Sequence, residues 1–277
     1  MRQSLSNARS LLFVPGDDAY KVDKALNGAA DAVVIDLEDA VLRERKDQAR
    51  TLAVDAVGAA RGLGPLVVVR INAPDSRWGA ADLADLANTQ VDALMLPKAT
   101  PEALALMPAD SAPVIALVET AAGLRSAYEI ARDPRVAALA LGGADLGAEL
   151  GLEPLADGAE LMYARSRLVV DAAAAGSRRP FDAVHLAATD PGALRAEAVR
   201  ARALGMGGKL CIHPAQVSVV HEVFTPSKAE VERARRVLAA LDEAAAGGAA
   251  VAVADGRLVD EPVARQARMT LRLAAVH

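Results

Sequence analysis

"PVIALVETAAG" (113–123) runs five apolar residues straight into an acid, Glu119, and then opens into small residues. An apolar run this short, with no alternation, reads as a strand buried on both faces, as in a parallel sheet. The residues after it suit the start of a helix, so the stretch is one βα unit. Seven more apolar runs repeat the pattern: "SLLFVP" (10–15), "AVVIDL" (32–37), "LVVVRI" (66–71), "ALMLP" (93–97), "ALALG" (138–142), "DAVHLA" (182–187) and "GKLCI" (208–212). Between them lie amphipathic stretches such as "AVLRERKDQARTLAVDAVGAAR" (40–61) and "GALRAEAVRARALG" (192–205). Eight strands, each followed by a helical pattern, predict a (β/α)8 barrel of the α/β class over residues 1–225. A doubly wound sheet is the rival, but no G-x-G-x-x-G fingerprint follows the first strand or occurs elsewhere.

Residues 226–277 lie beyond a complete barrel. "PSKAEVERARRVLAALDEAAAGG" (226–248) predicts a helix bounded by Pro226 and the Gly247–Gly248 pair. A short hairpin around Asp255–Gly256 and a last helix are expected after it. Such an extension is expected to cap an active site, its own or that of a neighbouring subunit.

The 277 residues are 53% hydrophobic but only 3% aromatic, so the core is built from Val, Leu, Ile and Ala. A net charge of −5, with both signs spread along the chain, argues against a nucleic-acid face and against a membrane patch. No run approaches the roughly 20 apolar residues of a membrane span, and the apolar run near the N-terminus is too short for a signal peptide. The single cysteine, Cys211, excludes an internal disulfide framework and reads as a small buried apolar residue. A cytoplasmic location is expected.

In a barrel, chemistry sits at the C-terminal ends of the strands. Strand two ends there in Asp36, Glu38 and Asp39, strand three in Arg70 and Asn72, strand four in Lys98, strand five in Glu119 and strand six in Asp145. No His or Cys cluster has zinc-like spacing, and two carboxylates with positions left open for water and substrate suit Mg²⁺. Alone, each acid reads equally well as a helix N-cap or first-turn acid; together on adjacent strand ends they are expected to hold a metal. Arg70 interrupts an apolar run, and a buried guanidinium needs a partner. It either forms a salt bridge to Asp36 or Glu38 or clamps a substrate carboxylate. Lys98 reads as a surface residue rather than a Schiff-base lysine, and His185, placed within strand seven, is assigned no role.

Seven ordered segments, "RSLLFVPG", "VVIDLEDAV", "VVRINAP", "LMLPKA", "ALVETAAGL", "GGADLGAELG" and "GKLCIHPAQV", resemble the citrate lyase β-subunit-like family, which includes malyl-CoA and citramalyl-CoA lyases. The resemblance runs from about residue 9 to residue 268. It implies a (β/α)8 barrel, a homotrimer or hexamer, and Mg²⁺-dependent cleavage or formation of a C–C bond beside a CoA thioester, with a small α-keto acid such as oxaloacetate as the second product. By the same resemblance Glu119 and Asp145 are the metal ligands, Arg70 holds the keto acid, and Lys209, His213 and Lys24 are candidate contacts to substrate and CoA. In "DGRLVDEP" the last acid of the motif, Asp260, falls on the catalytic acid that reaches a neighbouring subunit's site; Glu38 and Asp39 support Arg70 or metal-bound water. Two departures stand out: "GDDAYK" has Asp18 where relatives carry an arginine, with Lys21 in the later basic position, and Ala144 replaces a frequent acid. Two alternatives stay open: a class II aldolase on free pyruvate-type keto acids, and a complex-bound citrate lyase subunit acting on an acyl-carrier thioester.

Overall fold

The computed structural model describes residues 5–60, 64–155, 158–188 and 190–276. The chain forms two units, Met1–Phe224 and Thr225–His277. The first is a closed barrel of parallel strands: β1 Ser10–Pro15, β2 Ala32–Asp36, β3 Leu66–Arg70, β4 Ala93–Leu96, β5 Val114–Val118, β6 Val136–Leu141, β7 Phe181–Asp182 and β8 Gly208–Cys211, with β8 closing onto β1. All eight expected strands are present, and closure excludes the doubly wound sheet. One differs in extent. "DAVHLA" pairs only through β7, so His185 stands in the loop after the strand, not within it. The stretch 40–61 is helical from Lys46 to Ala59, while residue 61 lies outside the described residues.

Alternate residues along each strand divide the core into two shells. Leu11, Val34, Val68, Met95, Ile115, Leu117, Phe181 and Leu210 form a cluster built from strand residues, which is the barrel interior. Their neighbours, such as Leu12, Val33, Val69, Val118, Leu139 and Cys211, cluster with helix residues including Val22, Ala53 and Leu124. That is the period of two a pleated strand imposes. Small Ala32, Ala93, Ala138 and Ala140 share the interior with bulky Phe181 and Met95, so the shell fills without aromatic bulk. Cys211 is fully buried, and burial pushes its thiol up to about 12, consistent with an inert core residue.

In the second unit the helix Lys228–Ala246 opens with a capping box, Ser227 and Glu230 each capping the other's backbone N–H. The hairpin pairs β9 Ala252–Ala254 with β10 Arg257–Val259. Its two turn residues, Asp255 and Gly256, both have positive φ, +50° and +73°, as a two-residue type I′ turn requires. The helix Glu261–Val276 follows; Val237, Val259 and Ala267 form the unit's small core.

Candidate active site

The period-two rule carries past the strand ends. On β2 the interior residues are 32 and 34, so Asp36 faces inward; on β3, 66 and 68 lead to Arg70; on β5, 115 and 117 lead to Glu119; on β6, 138 and 140 lead to Gly142. The same count on β1 places Phe13 under Arg70, whose guanidinium lies 5.2 Å from the ring centroid. Three charged side chains and an aromatic floor therefore converge at the C-terminal mouth by strand geometry alone.

Arg70 donates from Nε to Asp36 Oδ1 at 2.7 Å and from Nη2 to Asp36 Oδ2 at 2.6 Å. Its Nη1 lies 2.9 Å from Glu38 Oε2, close enough for an ion pair but off the N–H direction, so that oxygen makes no hydrogen bond among the described residues. The salt-bridge reading of Arg70 holds with both acids. Burial works against its charge, but the hydrogen bonds and charge of Asp36 outweigh it and raise the pKa. The Asp36 carboxylate also caps the turn beyond β2, accepting from Glu38 N and Ala40 N. Lys98 is exposed, as expected from sequence, but it is also engaged at the site. Its Nζ donates to Glu38 Oε1 at 2.7 Å, and its backbone N donates to Glu119 Oε1 at 2.8 Å. It adopts φ +46°, a left-handed conformation costing a side-chain-bearing residue on the order of 1–2 kcal/mol. The conformation directs its main chain onto Glu119 and its side chain onto Glu38. Asn72, by contrast, is bound to Asp82 through both its backbone N and Nδ2.

Glu119 is 2% exposed, and its Oε2 accepts no hydrogen bond from the described residues. Burial raises its carboxyl to about 7; the Lys98 amide and Arg70 oppose the shift, and the charges of Glu38 and Asp145 add to it. Asp145, exposed in the first turn of the helix Gly143–Leu150, thus lies close enough for its charge to be felt at Glu119. Burial likewise raises the Glu38 carboxyl despite Arg70 and Lys98. Glu119, Asp145, Asp36, Asp39 and Arg70 line one cavity of about 340 Å³. Gly142 makes room for it: a Cβ there would lie 2.3 Å from Glu119 Cβ and 2.7 Å from Oε2. Gly142→Ala is therefore expected to cost about 1–3 kcal/mol, read in chemical denaturation, because the methyl must displace the glutamate.

No group of three His, Cys, Asp or Glu side chains poised to hold a metal occurs among the described residues. The pair does fit a hard divalent ion that keeps several waters. Glu119 has an open oxygen, Asp145 faces the same cavity, and burial, with the charges of Glu38 and Asp145 adding to it, raises the Glu119 pKa, a shift that a bound cation would oppose.

Other expected residues are placed elsewhere. Lys209 does not lie on a substrate surface: it has the parity of Cys211, so it faces the helix layer and is fully buried. Its three ammonium hydrogens go to Asp182 Oδ2, Ala183 O and Glu197 Oε1, leaving none for CoA. His213 is exposed after β8, its Nδ1 accepting from Ala215 N, and Lys24 is exposed in the last turn of the helix Ala19–Leu26. Asp18 caps that helix by accepting from Lys21 N, a structural use for the departure noted in the sequence. In the C-terminal unit, half-buried Asp260 accepts from Val263 N ahead of the last helix.

Sequence reasoning missed the cluster around Lys209. Arg165, on the helix Met162–Ala174, donates to Asp182 Oδ1, Gly158 O and Glu197 Oε1. His185, which the sequence left without a role, holds Glu197 Oε2 at 2.7 Å through Nδ1. The signal available was the parity of Asp182 and Lys209, register partners facing the same helices.

Residues 9–214 match the family model described as HpcH/HpaI aldolase/citrate lyase, and residues 160–277 match one described as C-C bond lyase of the TIM-barrel fold. The chain is 40% identical to a (3S)-malyl-CoA thioesterase of Cereibacter sphaeroides over 96% of its own length and 94% of the relative's. It is 34% identical to the citrate lyase subunit beta of Escherichia coli K12, over 96% and 93%. Among solved structures, protein CitE of Mycobacterium tuberculosis in complex with magnesium, acetoacetate and coenzyme A superposes with a TM-score of 0.83 at 38% identity, over 98% of this chain and all of that one. A match that spans the barrel and includes every acid at its mouth makes this chain a member of the HpcH/HpaI aldolase/citrate lyase family.

Proposed function

We propose that the barrel is a Mg²⁺-dependent C–C lyase that splits a β-hydroxyacyl-CoA thioester into an acyl-CoA and a small α-keto acid, or runs the reverse condensation. One observation carries the reading: Glu119, with a free oxygen and a raised pKa, shares a cavity with Asp145 and Arg70. Glu119 and Asp145 would hold the ion, which supplies Lewis-acid stabilisation of negative charge on substrate oxygen and a template for its carboxylate. Arg70 spends its Nε–Nη2 edge on Asp36, and the opposite Nη1–Nη2 edge retains N–H groups for a substrate carboxylate. Glu38 and Lys98 keep that edge in place, an orientation contribution. Asp260 is assigned the proton that the enolate carbon takes up in cleavage and returns in condensation. The apolar Met162, Tyr163 and Val170 exposed on one helix fit the homo-oligomer the family resemblance implies.

The test is release of α-keto acid from malyl-CoA and citramalyl-CoA with Mg²⁺. Asp260→Ala is expected to lower turnover by about 10²–10⁴-fold while calorimetry shows Mg²⁺ affinity unchanged. Unchanged turnover removes Asp260 from the mechanism, and cleavage of free keto-acid aldols without CoA favours the aldolase alternative. A carrier-protein requirement favours the complex-bound subunit. A second reading, hydrolysis of the same thioesters, is favoured by the His185–Glu197 pair and agrees with the name of the Cereibacter relative.

A further inference from the structure

A second cavity, of about 480 Å³, adjoins the first: Gly143, Ala144 and Val184 line both. Its wall is largely apolar, with Leu152, Leu161 and Leu186, and the lyase chemistry uses none of it. His185 and Glu197 supply polar groups there. Glu197 is anchored from outside the cavity: its Oε1 accepts from Arg165 Nη2 at 2.7 Å and from Lys209 Nζ at 3.0 Å. Its other oxygen holds His185 Nδ1 at 2.7 Å. A carboxylate fixed on Nδ1 makes that nitrogen the N–H and leaves the lone pair on Nε2. The backbone of the same residue is pinned as well, His185 O accepting from Gln216 Nε2 at 2.9 Å. His185 Nε2 itself is buried and has no hydrogen-bond partner among the described residues. His185 lines the cavity, and a histidine oriented by an acid whose second nitrogen is a buried, unsatisfied acceptor is the arrangement of a general base whose partner arrives with substrate and water.

We propose that His185 activates water for hydrolysis of the CoA thioester bound at the adjoining carboxylate cavity, with Glu197 as its positioning residue. This rests on the reading of the barrel as a CoA-thioester enzyme, and names the residues of its hydrolytic branch. The water oxygen bonds to the thioester carbonyl carbon as Nε2 takes its proton. The tetrahedral adduct then collapses, the C–S bond breaks with its electron pair on sulfur, and the imidazolium returns the proton to that sulfur. The products are a free hydroxy acid and the CoA thiol, and no oxidant or reductant is consumed. The step needs only the thioester and water.

The experiment uses the full-length protein with Mg²⁺ and malyl-CoA or citramalyl-CoA, following free thiol and α-keto acid as separate products. The wild type is expected to release thiol together with the hydroxy acid. His185→Gln is expected to lower thiol release by about 10²-fold or more and to leave keto-acid release within about twofold, which also certifies that the variant is folded. If the wild type releases no thiol from either thioester, or His185→Gln keeps that release, the assignment is overturned. Equal loss of both products in the variant also overturns it, since a purely structural histidine behaves that way. Thiol without keto acid from the wild type sinks the lyase reading and leaves His185 standing; keto acid without thiol does the reverse.

Discussion

Glu119→Gln is expected to raise the melting temperature of the metal-free protein at pH 8 and to abolish its response to Mg²⁺. Burial raises the Glu119 carboxyl from 4.5 to about 7, so the folded state binds this proton more tightly than the unfolded chain does. The sign follows: the favourable contribution is complete below about 4.5 and is lost as pH rises through about 7. Well above pH 7 the ionised acid therefore costs the fold up to about 3 kcal/mol, at 1.36 kcal/mol per pKa unit. Glutamine keeps the shape and can still accept from the Lys98 amide, but carries no charge. For a chain of this size the gain corresponds to roughly 5–10 °C; it should shrink as pH falls and vanish below about 4.5, where wild type and variant melt together. Saturating Mg²⁺, at about 100 times its Kd, is expected to return about 2.7 kcal/mol to the wild type and nothing to the variant. Equal melting at pH 8 would show that the buried acid is not strained. A Mg²⁺ response retained by the variant would remove Glu119 from the metal site. An acid that destabilises its own fold is what a built site looks like when its partner comes from solution.

Asp182→Ala is expected to destabilise the barrel by about 3–5 kcal/mol in denaturant unfolding. Asp182 is fully buried between Lys209 Nζ at 2.6 Å and Arg165 Nε at 2.7 Å. Burial alone would raise its carboxyl, but the two cations outweigh that and hold it below the usual carboxylate range. Its stabilising contribution is accordingly present above the unfolded value and lost as pH falls through the lower, folded one. Removing the acid strands two buried cations beside Glu197 alone, and an uncompensated buried charge costs more than a well-made pair contributes. The double change Asp182→Leu with Lys209→Met takes away both members and should recover much of the loss. If the double variant were no more stable than Asp182→Ala, the cost would lie in packing rather than charge.

The eight strands, their order and the inventory of acids at the barrel mouth were legible in the sequence because parallel strands buried on both faces read as apolar runs that stop at the rim. Glu119 and Arg70 were legible for the same reason, as charges that end such runs. The rest was not, because the deciding distances cross between elements far apart in the chain. Lys98 is exposed as read, but its engagement with Glu38 and Glu119 was hidden because nothing local announces a left-handed turn at that position or a Glu38 partner 60 residues earlier. Lys209 read as a substrate contact because its family segment ends at the mouth, while strand parity turns this one residue toward the helices. His185 read as an ordinary strand histidine because the strand was taken to continue, whereas β7 ends at Asp182. Its partner Glu197 sits on a helix 12 residues on. By itself the sequence determined which apolar runs are buried and which strand ends carry charge, since both follow from local period and composition. Only the tertiary structure decided which charges pair and which are left open, because closing a barrel brings strands from the whole length of the chain to one rim, and pairing is a matter of distance through space.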